Sequence, residues 1–158
     1  MNEEMKVSVY VPVYNGENTI ELCINSLLSQ TKNFDEIIIV NDASTDSTLK
    51  ILEKFKEIKI INNKHNYGLS KSRNIAINEC KYDIVANVDS DIVLDKNWLS
   101  KTFEVLKSGE IVFCGGNTKE NYLDNIFNKW RNDYYKLSWG EVDIMDPPYI
   151  YGSNSIQH

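Results

Sequence analysis

Glu36-Ile37-Ile38-Ile39-Val40 runs straight into Asn41-Asp42-Ala43-Ser44-Thr45-Asp46. The first half is apolar, β-branched and free of alternation, the pattern of a strand covered on both faces in a parallel sheet. The second half is polar and turn-rich. Val7 to Val13, Ile58 to Ile61, Asp83 to Val88 and Glu110 to Phe113 look like further strands of the same kind. Between them lie helical spacings. Ile20, Cys23, Ile24, Leu27 and Leu28 share one face, with Asn15 or Gly16 as cap and Glu17 and Glu21 in the positive first turn. Ser44 or Thr45 caps a second helix, with Asp46 early in it and Leu49, Leu52 and Phe55 as its stripe. Gly68 opens a third, marked by Leu69, Ala76, Ile77 and Cys80. Asp95 caps a fourth, which carries Trp98, Leu99, Thr102, Phe103 and Leu106. Five strands alternating with four helices predict an α/β fold: a doubly wound, mostly parallel sheet with helices on both faces and right-handed crossovers.

Composition agrees. A chain of 158 residues with 42% hydrophobic residues carries enough apolar material for one self-sufficient core. Seventeen basic and twenty-three acidic residues leave a net charge of −6. That sign disfavours nucleic acid and anionic membrane as partners, since both need a basic face. No apolar run is long enough to span a bilayer, and Met1-Asn2-Glu3-Glu4 lacks the start of a signal peptide. Cys23, Cys80 and Cys114 are odd in number and share no CxxC spacing, which suits reduced thiols in a cytoplasmic protein.

In an open parallel sheet the ligand binds beyond the carboxyl ends of the strands. Here those ends carry Pro12-Val13-Tyr14-Asn15, Asn41-Asp42, His65-Asn66-Tyr67-Gly68 and Asp89-Ser90-Asp91, all on one predicted rim. The dinucleotide fingerprint, the P-loop, the GxSxG elbow and HExxH are all missing. Asp89 and Asp91, read as alternate strand residues, would point to one side and need a shared cation or proton. Oxygen ligands suit Mg²⁺ or Mn²⁺ completed by water and phosphate, although a bare DxD is also an ordinary solvated turn. Arg73 fits an anion near a helix start, or else pairs with an acidic neighbour. Asp42 accepts from a base or ribose, or else caps a turn. Tyr14 lies against a base, or packs at the sheet edge. Glu17 complements the helix dipole, and His65 is a loop residue.

The set of motifs resembles a known family. Val7 to Glu17, Ser26-Leu27-Leu28-Ser29-Gln30-Thr31, Ile39 to Asp46, Asn66-Tyr67-Gly68-Leu69-Ser70-Lys71-Ser72-Arg73-Asn74 and Val88-Asp89-Ser90-Asp91 resemble the opening of family 2 glycosyltransferases of the GT-A fold. The resemblance implies a nucleotide-sugar donor, usually a uridine diphosphate sugar, a divalent metal, and transfer to an acceptor hydroxyl with inversion. By the same resemblance, Pro12 and Tyr14 line the base pocket and Asp42 holds the base. Arg73 and the loop of Asn66 and Gly68 lie near the base or diphosphate, with Glu17 on the same donor side. Asp89 approaches the ribose or sugar and joins Asp91 at the metal. Asn41 and Ala43 depart from the family's usual Asp and Gly.

Residues 1–158 are expected to form a single domain, with a nucleotide-sugar-binding core over 6–116. Residues 117–158 would supply an aromatic helix and the start of an acceptor region. Tyr122, Ile126, Trp130 and Tyr134 recur every fourth residue, as a helix packed on the sheet edge or walling a cleft. A strand is expected over Tyr149 to Ser153. Gly152-Ser153-Asn154 resembles the segment that precedes the family's general base, so the base is expected beyond His158 and this chain to bind donor with little transfer. Asp143 and Asp146 would be poor substitutes. Membrane contact would then come only from further chain, in a protein peripheral to the inner face. The competing reading is a non-catalytic nucleotide-binding or partner-docking module on the same fold. The acceptor, whether saccharide, lipid or protein, is not named by the sequence.

Overall fold

The structure, a computed structural model, describes residues 5–107, 113–116, 126, 129, 130 and 154–157. The elements run β1 (Val7–Val13), α1 (Ile20–Leu28), β2 (Glu36–Asn41), α2 (Thr48–Leu52), β3 (Lys59–Asn62), α3 (Leu69–Glu79), β4 (Ile84–Val88), α4 (Trp98–Lys107), β5 (Phe113–Gly115) and β6 (Asn154–Gln157). One six-stranded sheet has the order β3-β2-β1-β4-β6-β5. The first four strands are mutually parallel, whereas β6 runs antiparallel to both β4 and β5. No helix among the described residues is long and apolar enough to cross a membrane.

Both faces are covered, as the unbroken apolar strands require. Val7, Val9, Val11 and Val13 point into the larger core with Ile20, Ile24 and Leu27 of α1, Leu52 of α2, and Leu99, Phe103 and Leu106 of α4. The alternate residues Tyr10, Ile38, Val40 and Val85 meet Ala76 of α3 on the opposite face. β1 and β2 are buried along nearly their whole length, which is why their sequences show no polar alternation. Pro12 sits two residues beyond the last β1–β4 pair, Tyr10 with Asn87, where the ladder on that side no longer asks for an N–H.

Several local expectations are corrected. α1 begins at Ile20, not at Asn15 or Gly16, because Asn15 takes φ 52 and Gly16 closes a turn in which its carbonyl accepts from Thr19 and Ile20 N–H. α2 begins at Thr48, past Ser44 and Thr45. Asp46 lies just outside the helix and its Oδ1 accepts the N–H of Thr48. The buried face of α3 is Ser72 and Ala76, while Leu69 and Ile77 are exposed. Small side chains one turn apart let α3 lie close on the sheet, so size overrides hydropathy here. The α4 stripe is buried as expected. β3 and β4 begin one residue later than predicted, and β5 is described from Phe113. The strand expected over Tyr149 to Ser153 and most of the aromatic segment, Tyr122 and Tyr134 included, lie outside the described residues. Ile126 and Trp130 are helical and exposed, not packed against a sheet edge.

Candidate functional site

The register brings the polar strand ends to one rim. Val13 pairs with Asn41, and Asn41 with Asn62. One further rung follows on each side: Asp42 N–H donates to Val13 O at 2.8 Å and Asn63 N–H to Asn41 O at 2.9 Å. The chain therefore leaves the sheet at Tyr14, Asp42 and Asn63 on one level, and β4 leaves it after Val88.

The β1–α1 and β2–α2 loops are stitched together. Asn15 N–H donates to Ser44 Oγ at 3.0 Å, and Asn15 Oδ1 accepts Thr45 N–H at 2.8 Å. Gly16 N–H donates to Thr48 Oγ1 at 2.9 Å, and Glu17 N–H to Asp46 Oδ2 at 3.1 Å. The Glu17 carboxylate accepts Ser47 N–H at 2.9 Å, so its partner is the start of α2 and not its own helix. A Cβ on Gly16 would lie 2.5 Å from Val13 Cγ2, so only glycine fits there. Ala43 is held at φ 57, a left-handed conformation that glycine adopts freely.

Asp42 is only 3% exposed. Its Oδ1 accepts Asn63 Nδ2 at 2.7 Å and Tyr67 N–H at 3.0 Å, and its Oδ2 accepts Gly68 N–H at 2.8 Å. Burial pushes the carboxyl up, but these donors, with Ser72 beside them, outweigh it and hold it below its ordinary value. Asp42 thus shapes the β3–α3 loop, where Gly68 at φ 84 opens α3 and Asn66 Oδ1 also accepts Gly68 N–H. Tyr14 and Tyr67 are about half exposed on this rim.

Arg73, in the second turn of α3, donates to Asp89 Oδ1 at 2.8 Å across the end of β4. Its Nε is buried without a hydrogen-bond acceptor. Burial raises the Asp89 carboxyl above its ordinary value, the Arg73 guanidinium opposes that rise, and the Asp91 charge adds to it. The strand geometry expected for Asp89 and Asp91 is corrected: β4 stops at Val88, and a turn closed by Ile92 N–H on Asp89 O carries both. A turn satisfies the backbone where the ladder ends, so the two carboxylates share a loop and not a strand face. No cluster of three metal-ligating side chains is present among the described residues. Two neighbouring carboxylates fit Mg²⁺ or Mn²⁺ only when water and ligand phosphate complete the shell.

Sequence reasoning missed two buried amides. Gln30 clamps the end of α1 to the loop leading into α4: Nε2 donates to Ser26 O at 3.0 Å and Asp95 O at 2.8 Å, and Oε1 accepts Leu99 N–H at 2.9 Å. Asn63 tethers Asp42 to Ser72, whose Oγ accepts its second N–H at 3.1 Å. Gln30 lies inside a quoted family motif, whereas Asn63 had no local signal. His65 makes an edge-on contact with Tyr67, ring centroids 6.1 Å apart.

A family model described as "Glycosyl transferase family 2" matches residues 8–152. An uncharacterized glycosyltransferase of Haemophilus influenzae is 37% identical over 127 residues, covering 78% of this chain and 38% of its own length. A poly(ribitol-phosphate) beta-glucosyltransferase of Bacillus spizizenii is 36% identical over 162 residues, covering 93% of this chain and 24% of that protein. The chain therefore spans well under half the length of these relatives. Among solved structures, S. aureus TarS 1-349 in complex with UDP-GlcNAc has a TM-score of 0.64 at 34% identity, covering 69% of this chain and 34% of that one. The mannosyltransferase PcManGT from Pyrobaculum calidifontis, in complex with GDP-Man and Mn²⁺, has a TM-score of 0.75 at 20% identity, over 99% of this chain and 45% of that one, a likeness of fold.

Proposed function

The chain belongs to glycosyl transferase family 2, and from that premise we propose that its rim binds a nucleotide-diphosphate sugar, a UDP-sugar first, for transfer to an acceptor hydroxyl. The observation that carries this reading is the Arg73–Asp89 pair set beside the Asp42-anchored loop on the rim where the parallel strands end. TarS, 34% identical, is a complex with UDP-GlcNAc, which supports uridine.

Each residue then has a task. The ring of Tyr14, half exposed at the end of β1, offers a flat apolar surface to the base. Asp42 accepts from the base edge while holding the loop of Asn66 to Gly68. Arg73 is the cation nearest Asp89, and its fork suits a diphosphate oxygen. Asp89 accepts from a ribose or sugar hydroxyl. Asp89 and Asp91 would hold Mg²⁺ or Mn²⁺, which supplies Lewis-acid neutralisation of charge on the leaving diphosphate. Glu17 and Pro12 support the floor: Glu17 by fixing Ser47, Pro12 as a buried strand residue. Transfer is taken to proceed with inversion, as the resemblance implies.

Titration calorimetry with UDP, with and without Mn²⁺, tests the proposal. Saturable binding strengthened by Mn²⁺ and weakened by Arg73→Gln is expected. Absence of saturable binding by any nucleoside diphosphate overturns it.

A further inference from the structure

The hydrogen-bond capacity of Asp42 is nearly spent before any ligand arrives. A carboxylate has about four acceptor positions, two on each oxygen. Oδ1 accepts both Asn63 Nδ2 and Tyr67 N–H, so it is full. Oδ2 accepts Gly68 N–H and keeps one position. The direction of the Asn63 amide is fixed by chemistry, since its oxygen cannot face an ionised carboxylate and its Nδ2 must. Ser72, itself 1% exposed, takes the second Nδ2 hydrogen and locks that orientation.

An Asp42 with one open position can answer one N–H. The uracil edge presents a single imide donor flanked by two carbonyls. The guanine edge presents two adjacent donors, the ring N–H and the exocyclic amino group, which engage a carboxylate through both oxygens. We propose that Asn63 is a positioning residue that sets base choice: by filling Oδ1 it turns Asp42 into a one-donor reader that accepts an imide base and refuses guanine's two-donor edge. The inference rests on the proposed donor site and narrows it to imide nucleotides.

The test is titration calorimetry on the full chain with Mn²⁺, using UDP, GDP and N3-methyl-UDP as probes, on the wild type and Asn63→Ala. In the wild type, UDP is expected to bind at least about tenfold tighter than both GDP and N3-methyl-UDP, the scale of one good base-edge contact. Asn63→Ala reopens a position on Oδ1, so the UDP-to-GDP affinity ratio should fall by at least about threefold. A general loosening of the loop would weaken both nucleotides together and leave that ratio alone. A smaller wild-type preference, N3-methyl-UDP equal to UDP, or an unchanged ratio in an Asn63→Ala protein that still melts cooperatively overturns the inference. If Asn63→Ala does not fold, the two wild-type comparisons decide. Absence of binding by both UDP and GDP instead overturns the donor site itself.

Discussion

Replacing Gln30 with methionine should loosen the loop that carries Asp89 and Asp91 from the back. The swap nearly preserves volume, so its cost is almost entirely polar. Gln30 is 5% exposed and makes three hydrogen bonds. Two of its partners keep another donor: Ser26 O still accepts the Ser29 hydroxyl, and Asp95 O still accepts Trp98 N–H. Leu99 N–H, in a fully buried residue, keeps none among the described contacts. One stranded buried donor costs about 1–3 kcal/mol, and each of two replaced bonds about 0.5–1.5 kcal/mol, so about 3 kcal/mol is expected in total. For a chain of this size that lowers Tm by about 6–12 °C. Urea unfolding should show the midpoint moving with the slope unchanged, since the same surface is exposed. Hydrogen exchange should show the Leu99 amide losing protection beyond the global change. A stability loss below about 1 kcal/mol, with Leu99 still protected, would refute the reasoning.

Three other perturbations have definite signs. Ala43→Gly relieves the left-handed φ of 57 and should stabilise by about 0.5–1 kcal/mol after the extra unfolded-state entropy of glycine, read from the denaturation midpoint. Gly16→Ala places a methyl group 2.5 Å from Val13 Cγ2 under the rim and should destabilise by about 1–3 kcal/mol in the same assay, and an unchanged midpoint would contradict the packing. Asp42 has a folded pKa below its unfolded value of 3.8, so its stabilisation is fully present above that pH and is lost as pH falls toward the folded value. The stability gap between wild type and Asp42→Asn should therefore shrink on acidification from pH near 5 to pH near 3, and a constant gap would contradict the assignment.

What could be read in advance depended on how local the cause was. β1 was legible over its full span, Val7 to Val13, because burial on both faces writes itself into consecutive residues. The rim was legible because parallel strands all end on one side, so tail residues of separate strands had to converge. The clamps were not. Gln30 meets Leu99 across 69 residues, and Asn63 meets Asp42 across 21, separations that leave no periodicity. The buried face of α3 was misread because hydropathy chose Leu69 and Ile77 while close approach chose Ser72 and Ala76. β6 contributes one apolar side chain, Ile156, and its place between β4 and β5 is a fact of pairing that hydropathy does not record.

The slot occupied by β6 has a consequence for assembly order. β3, β2, β1 and β4 meet through short crossovers, but the ladder of β5 runs to β6 alone, and β6 comes some forty residues later. A nascent chain can therefore finish its four-stranded half while β5 waits unmoored, and bridging that gap is the slow, high-separation step. Refolding followed at Val9 and at Cys114 should report two different clocks.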